Sequence, residues 1–204
     1  MNSLLIATLL FTLGVTAVDE KAEPVRTYTA TVAGKSYDLH LDEPLKLPGT
    51  FTNPEIKITA SPTRTFPYDG ISFAYAAGFN WSADLSDPDI KIWSLNGDDL
   101  VIEVFAFSSK VEPSAVVDGM VAKFHTEKST VQEITHKFNG QDLKGYRIPV
   151  KLVDTRLIVD IYDVSSKSAT KLLILQDTPP DNADQSKEKA AILDYLNKTL
   201  TVVR

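Results

Sequence analysis

The stretch that most limits how this chain can fold runs from Ile71 to Phe107 and contains both tryptophans. Its β-branched and aromatic residues fall into short runs separated by turn residues, which is typical of β-strands. We therefore predict three strands in this stretch, at Ile71–Tyr75, Ile90–Leu95 and Leu100–Phe107.

The third of these strands is apolar on both faces. One face carries Leu100, Ile102, Val104 and Ala106, and the other carries Val101, Phe105 and Phe107 with Glu103 as its only charge. A strand with one face in water alternates more cleanly between polar and apolar residues. We expect a central strand in a sheet covered on both faces, which requires at least two covering elements.

Two turns are predicted around these strands. Asn96-Gly97 favours a hairpin, because both residues adopt positive φ at low cost. Whether its loop holds two, three or four residues stays open, since Asp98 and Asp99 could belong to the loop or to the strand. The segment 84–89, which holds three aspartates and a proline, is interpreted as a loop.

Beyond this stretch, apolar residues recur at helical spacing in 113–127 and 185–200. Four strand candidates lie between the two helices, at 131–138, 143–152, 156–164 and 170–176, and short turns between them predict an antiparallel meander. Together these patterns predict an α+β fold. Its core would be an antiparallel sheet of about six to seven strands with a helix on each face, an α-β-α sandwich.

A smaller unit is expected before the sandwich. Tyr28–Val32 and Tyr37–Leu41 flank a short turn and predict a β-hairpin. Five prolines then interrupt the chain around one short strand candidate, Ile56–Thr59. We assign the hairpin and the proline-rich segment to residues 18–61 and the sandwich to residues 62–204, with 19–24 as a flexible tether.

The N-terminus has the layout of a secretory signal peptide over residues 1–17. It carries no charged side chain, has a compact apolar run at 4–11, and ends in small residues at Val15-Thr16-Ala17, although the usual basic start is missing. The apolar run is too short to cross a bilayer. We expect export, secreted or periplasmic, with cleavage after Ala17; an uncleaved membrane anchor is the alternative.

Composition excludes several chemistries. The chain has no cysteine, which excludes disulfides, thiolate nucleophiles and cysteine metal ligands. A net charge of −6 argues against nucleic acid and anionic membrane surfaces as partners. We expect no stable membrane insertion after signal cleavage and, as a partner, another envelope or secreted protein; the oligomeric state stays open.

The segment Tyr68-Asp-Gly-Ile-Ser-Phe-Ala-Tyr75, followed by Ala76-Ala77-Gly78-Phe79, resembles the first-strand pattern of the PsbP-type family. This family comprises the extrinsic photosystem II subunit and bacterial envelope proteins. The resemblance covers about residues 66–204, and it departs from the pattern at Ala77, where a proline is usual, and in the added segment 26–62. It implies an α-β-α sandwich and an accessory role without catalysis.

No cofactor or metal site is predicted. The three histidines, His40, His125 and His136, are too dispersed to form a ligand motif, and Asp42 beside His40 adds only one more ligand. Asp84, Asp87 and Asp89 are oxygen ligands that calcium could use, but their spacing is not that of an EF-hand and turn propensity explains them.

The candidate recognition surface consists of Phe79, Trp81, Asp84, Asp87 and Asp89, because large aromatics in turns often anchor partners. The alternative is that Phe79 and Trp81 cover the core beneath a loop, which is the more usual fate of such residues. No serine-nucleophile motif occurs.

These observations predict an exported, non-catalytic accessory or binding protein of the cell envelope. Two alternatives remain. One is an exported hydrolase that uses dispersed carboxylates or histidines, since any two of the 27 acidic residues could meet in space. The other is a structural component of the envelope with the 26–62 segment as its docking arm.

Overall fold

A computed structural model describes residues 19–39, 43–152 and 155–203. The predicted signal peptide lies outside the described residues. The described part of the chain is mostly β, with 46% of its residues in strands and 15% in helices, including a short 3-10 helix at Lys128–Thr130. The strands are β1 (Tyr28–Val32), β2 (Lys35–Leu39), β3 (Ile56–Ala60), β4 (Thr63–Phe66), β5 (Ile71–Ala76), β6 (Asn80–Asp87), β7 (Ile90–Asn96), β8 (Leu100–Phe107), β9 (Gln132–Phe138), β10 (Gln141–Lys151), β11 (Arg156–Asp163), β12 (Lys171–Asp177) and β13 (Thr201–Val202). The helices are α1 (Pro113–Lys123) and α2 (Lys187–Thr199).

The largest sheet has seven strands in the order β6-β7-β8-β12-β11-β10-β9. All neighbouring pairs are antiparallel, so the predicted meander from β9 to β12 is confirmed. The strand β8 lies inside the sheet, between β7 and β12, and every second residue from Leu100 to Ala106 is buried. Phe105 and Phe107 on its other face pack against apolar neighbours, which confirms the expectation of a two-sided central strand.

Two apolar clusters lie on opposite faces of this sheet. The first contains aromatic side chains from β4 and β5, namely Phe66, Phe73 and Tyr75, which pack against Trp93 and the alternating residues of β8 and β12. The second contains Val117 of α1 packed against β10, β11 and β12. Burial of side chains as large as these supplies most of the free energy that favours folding.

A second sheet, in the order β13-β5-β4, covers the first cluster together with α2. The predicted α-β-α sandwich with a helix on each face is therefore wrong: the described residues form thirteen strands in three sheets with only two α-helices. The prediction failed because β4 and β13 are too short to give a periodic pattern, so the covering role was assigned to helices alone.

The loop predicted at 84–89 is also wrong, because β6 runs through most of it. Trp81, Ala83 and Leu85 point toward the first cluster while the residues between them are exposed. This alternation is the pattern of a half-buried strand. The turn itself is confined to Pro88 and Asp89, after an irregularity in the pairing with β7 between Asp84 and Asp87.

The predicted hairpin forms as β1 and β2, and Ala33 and Gly34 make its two-residue turn with φ of 47° and 80°. β3 pairs with the other side of β1, which gives a third sheet in the order β2-β1-β3. The proposed division at residue 61 stays a prediction. No helix among the described residues has the length and apolar character needed to cross a membrane.

Candidate functional site

The predicted recognition surface does not form one exposed patch. Phe79 is buried in the first cluster, with 8% of its surface exposed. Trp81 is half-buried and packs between Phe66 and Tyr68, at ring-centroid distances of 6.1 and 5.5 Å. Both aromatic side chains therefore belong to the core cover, as in the alternative considered above.

The three aspartates of that surface are exposed, and the carboxylates of Asp84 and Asp87 accept hydrogen bonds from residues two positions further along the chain. Asp84 accepts hydrogen bonds from the hydroxyl and the amide of Ser86, at 2.6 and 3.1 Å, and these bonds hold the pKa of Asp84 below its ordinary value. Asp87 accepts the amide of Asp89 at 2.8 Å. This is the turn-forming role of aspartate. Among the described residues, no three histidine or acidic side chains are grouped as metal ligands.

The two histidines that the structure describes, His125 and His136, lie in different parts of the fold. His136 packs against the ring of Phe138 at 4.2 Å, and its Nε2 lies 3.3 Å from the side-chain oxygen of Asn197. His125 follows α1 with a φ of 50°. His40 and Asp42 lie outside the described residues, so the metal pair considered on them stays untested.

The aromatic side chains Tyr68, Trp81 and Trp93 instead hold the chain's own N-terminal segment. Their polar groups donate to three consecutive backbone carbonyls: Trp93 Nε1 to Glu20 at 2.9 Å, Trp81 Nε1 to Lys21 at 3.0 Å, and the Tyr68 hydroxyl to Ala22. The three donors lie 46, 60 and 73 residues further along the chain than the carbonyls that they bind. Residues 19–24 are thus bound to the sheet, and the predicted flexible tether is wrong.

Charged side chains add to this attachment. Glu20 accepts a hydrogen bond from Lys91 Nζ at 2.7 Å, which raises the pKa of Lys91, and Glu23 pairs with Arg64. Pro24 is buried at the end of the segment. We refer to residues 19–24 as the N-terminal strap.

A buried ion network joins α2 to the large sheet. Arg147 donates through two nitrogens to both oxygens of Asp160, at 2.6 and 2.8 Å, and Lys189 Nζ lies 2.8 Å from Asp160. Lys189 Nζ also lies 3.7 Å from Asp177, whose carboxylate accepts the amide of Ser186 at the start of the helix. Asp160, Asp177 and Lys189 are almost fully buried.

The charges in this network are matched. Burial alone would raise the pKa of Asp160, but the hydrogen bond from Arg147 and the charge of Lys189 outweigh that effect and hold the pKa below its ordinary value. A buried carboxylate with two cationic partners is satisfied as an ion. We assign this network to the attachment of the helix.

One more acidic group, Glu103, has a pKa above its ordinary value. Glu103, the single charge on the apolar strand β8, is half-buried and accepts a hydrogen bond from Gln176 Nε2 at 2.6 Å. Burial raises its pKa, and Gln176, Lys123 and Ser94 offset only part of that rise. The sequence pattern had marked Glu103 as an isolated charge without assigning it a role.

A surface groove lies on the face of β9, β10 and β11, next to the start of α1. Its volume is about 570 Å³. The register aligns Glu133, Tyr146 and Ile161 across the three strands, and Lys144 lies directly opposite Thr135. The residues that line this strand groove are Pro113, Glu133, Ile134, Thr135, Lys144, Gly145, Tyr146, Ile161 and Asp163.

The strand groove combines an aromatic and aliphatic floor with a polar rim. Tyr146 packs against the second cluster, and Ile161 is part of that cluster. The rim offers carboxylates at Glu133 and Asp163, an ammonium group at Lys144 and a hydroxyl at Thr135, so donors and acceptors both face a ligand. Asp163 is held in place because it accepts the amide of Ser165 at 2.9 Å.

None of the residues predicted for recognition lines the strand groove. Its members are spread over three strands and only the antiparallel register brings them together, so no local motif marks them. The one sequence signal was indirect: polar residues alternate with apolar ones on β9 and β10, which places Glu133, Thr135 and Lys144 on a common face. Comparison with known proteins adds no identification: no family model matches the chain, and no curated protein matches it either.

Proposed function

We propose that this chain is an exported, non-catalytic binding protein of the cell envelope that holds a neutral polyhydroxylated ligand, such as a saccharide, in the strand groove. The observation that carries the proposal is the groove itself. A volume of about 570 Å³ lies in the range of small-molecule sites, and such sites combine apolar floors with a few polar groups.

The ligand class follows from the lining chemistry. A sugar ring has an apolar face that can pack on an aromatic side chain such as Tyr146, and its hydroxyls both donate and accept hydrogen bonds. Glu133 and Asp163 supply acceptors, whereas Lys144 supplies donors. The mixed rim favours a neutral ligand over a strongly charged one.

Calorimetric titration with two soluble probes tests this proposal: the hexasaccharide of N-acetylglucosamine and the hexasaccharide of glucose. We expect one of them to bind, and Lys144→Ala to raise the dissociation constant about tenfold, because a hydrogen bond to a charged group is lost. Lys137→Ala is the matched control, since Lys137 is an exposed lysine on β9 that does not line the groove. Equal affinity in the two variants, or no binding of either probe, contradicts the proposal.

A hydrolase is the second candidate, because the strand groove brings two carboxylates, Glu133 and Asp163, to one cavity. Glycoside cleavage uses such a pair, one on each side of the scissile bond. Release of new reducing ends from either probe, abolished by Glu133→Gln or Asp163→Asn in folded protein, would replace the binding proposal by this one.

Export rests on the N-terminal pattern and the accessory role on the resemblance to the PsbP-type family, and both remain proposals. Edman or mass-spectrometric determination of the N-terminal residue in protein recovered from its host tests the first. Val18 is the residue expected if cleavage follows Ala17, whereas a retained Met1 contradicts processing.

A further inference from the structure

The strand β3 is an open edge with an apolar surface. It pairs only with β1 in the sheet β2-β1-β3, so its other side is free among the described residues. Ile56 and Ile58 on this strand are 58% and 64% exposed. Exposed apolar edge strands are sites where another strand adds to the sheet.

The backbone of β3 presents its free groups at alternate residues. The amide of Ser61 donates to the carbonyl of Thr27, and the amide of Ala33 donates to the carbonyl of Glu55, at 2.8 and 3.3 Å. Residues with odd numbers therefore bond to β1. Successive residues of a strand direct their backbone N–H and C=O groups to opposite sides. The N–H and C=O groups of Ile56, Ile58 and Ala60 therefore point away from β1.

Prolines limit this free edge on both sides. Pro54 and Pro62 lie four residues before and four residues after Ile58. If the strand continued in either direction, the backbone groups of these prolines would also point away from β1, as those of Ile56, Ile58 and Ala60 do. Proline has no N–H to donate, so neither can extend the pairing. The pairing surface is thus confined to residues 56–60 and is symmetric about Ile58.

Two other edge strands, β6 and β2, differ from β3. β6 carries Asp84 and Asp87 around its pairing irregularity, and β2 carries Lys35 and Asp38. Charges and irregularities of this kind protect edges from further pairing. On β3 the only charge is Lys57, whose side chain is on the opposite face from the two isoleucines.

We propose that β3 pairs with β3 of a second copy of this chain, antiparallel about a two-fold axis through Ile58. In this register Ile58 bonds to the partner's Ile58, and Ile56 bonds to the partner's Ala60, so all outward groups of the strand are used. The two three-stranded sheets become one six-stranded sheet, and the exposed isoleucines pack against each other across the axis.

The charges permit this symmetric contact. Lys57 lies opposite the partner's Thr59, so no charged residue faces another directly. The two Lys57 side chains are diagonal neighbours on the solvent face, where long side chains can diverge. An isologous contact of this kind closes as a dimer and does not propagate.

The cysteine-free sequence allows a direct test by single cysteine substitution. In a hydrogen-bonded antiparallel pair the two Cα atoms are about 5.5 Å apart, which a disulfide can span. Ile58→Cys is expected to form a covalent dimer under mild oxidation. Val25→Cys, at a position that is 72% exposed and outside β3, is the control and is expected to stay mostly monomeric.

The unmodified chain provides the second measurement, by light scattering across a dilution series. We expect a dimer that dissociates on dilution, and Ile58→Lys is expected to raise the dissociation constant at least about tenfold, because it places two like charges directly opposite each other. Val25→Lys should leave it unchanged. A monomer at every concentration, or equal cross-linking of the two cysteine variants, would overturn the proposal.

Discussion

Gly145 is required by the close approach of β10 to β11. A Cβ built on it would lie 2.0 Å from the carbonyl oxygen of Ile161, which is a backbone atom and cannot move aside. Gly119 in α1 is the opposite case, because a Cβ there meets nothing within 4 Å. Replacement of each glycine by alanine therefore compares a site with no room for a Cβ with a site where a Cβ is free of contacts.

We predict that Gly145→Ala lowers the free energy of unfolding by about 3 kcal/mol or more, because the strand pair must shift. Gly119→Ala should raise it by about 0.5–1 kcal/mol, because alanine loses less conformational entropy in a helix than glycine. Urea titration of the two variants measures both changes. Similar effects at the two positions would show that the packing around Gly145 is described wrongly.

Glu103 gives a pH-dependent prediction. Its pKa in the folded chain is raised by burial, so the folded state binds the proton more tightly than the unfolded state. The contribution of Glu103 to stability is therefore fully present below the unfolded pKa of about 4.3 and is lost as the pH rises through the folded value.

We predict that Glu103→Gln raises the free energy of unfolding at neutral pH relative to the unsubstituted chain. This advantage should shrink as the pH falls through the raised folded pKa of Glu103 and should be absent below about 4.3, where Glu103 is protonated in both states. Glutamine keeps the hydrogen bond to Gln176 and removes the buried charge. Denaturant titrations at several pH values give the comparison. A gain that is independent of pH would show that the charge of Glu103 is not its cause.

At the scale of the elements, α2 is attached at its first turn by polar contacts. Ser186 accepts the amide of Lys189 as the helix cap, at 3.0 Å. The carboxylate of Glu188 accepts three successive amides, those of Asp98, Asp99 and Leu100, at 3.1, 2.7 and 2.9 Å. Together with the network at Asp160, these bonds set the position of the helix on the sheet.

Removal of one partner from the buried network should therefore be costly. We predict that Lys189→Met lowers the free energy of unfolding by about 3–5 kcal/mol, because Asp160 and Asp177 lose their shared cation. Lys187→Met, two residues earlier and exposed, should change it by less than about 0.5 kcal/mol. Thermal or urea unfolding distinguishes these outcomes, and near-equal values would contradict the buried ion network.

Some elements could be predicted because their signals are local. The strands β7 and β8, the meander and both helices have continuous patterns of the right period. The hairpin at Asn96-Gly97 shows the limit: β7 ends at Asn96 and β8 begins at Leu100, so the loop has three residues, and neither Asn96 nor Gly97 has a positive φ. Glu188 shapes this loop from a distant helix, which no local pattern reveals.

The strand β6 was missed for a different reason. Its period-two alternation is present at Trp81, Ala83 and Leu85, but the aspartates between them gave a stronger turn signal. The N-terminal strap was missed because the aromatic donors that bind it are more than 40 residues away in sequence. In both cases tertiary contacts override local preference.

At the scale of the whole molecule, the surfaces proposed for function are separate. The strand groove lies at the β9–β11 end of the large sheet, and the proposed dimer edge lies on the small N-terminal sheet. The strap is a third feature, which attaches residues 19–24 to the β6–β7 side. Ligand binding and self-association can thus be tested independently.

The most direct test of the binding proposal is an amide-resolved NMR titration of the isotope-labelled chain with the two hexasaccharides. We predict that the signals of Thr135 and Gly145 shift in a saturable way, whereas the indole signal of Trp81 stays constant. Shifts confined to Trp81 and Asp84, or no saturable shift with either probe, would contradict the strand groove as the saccharide site.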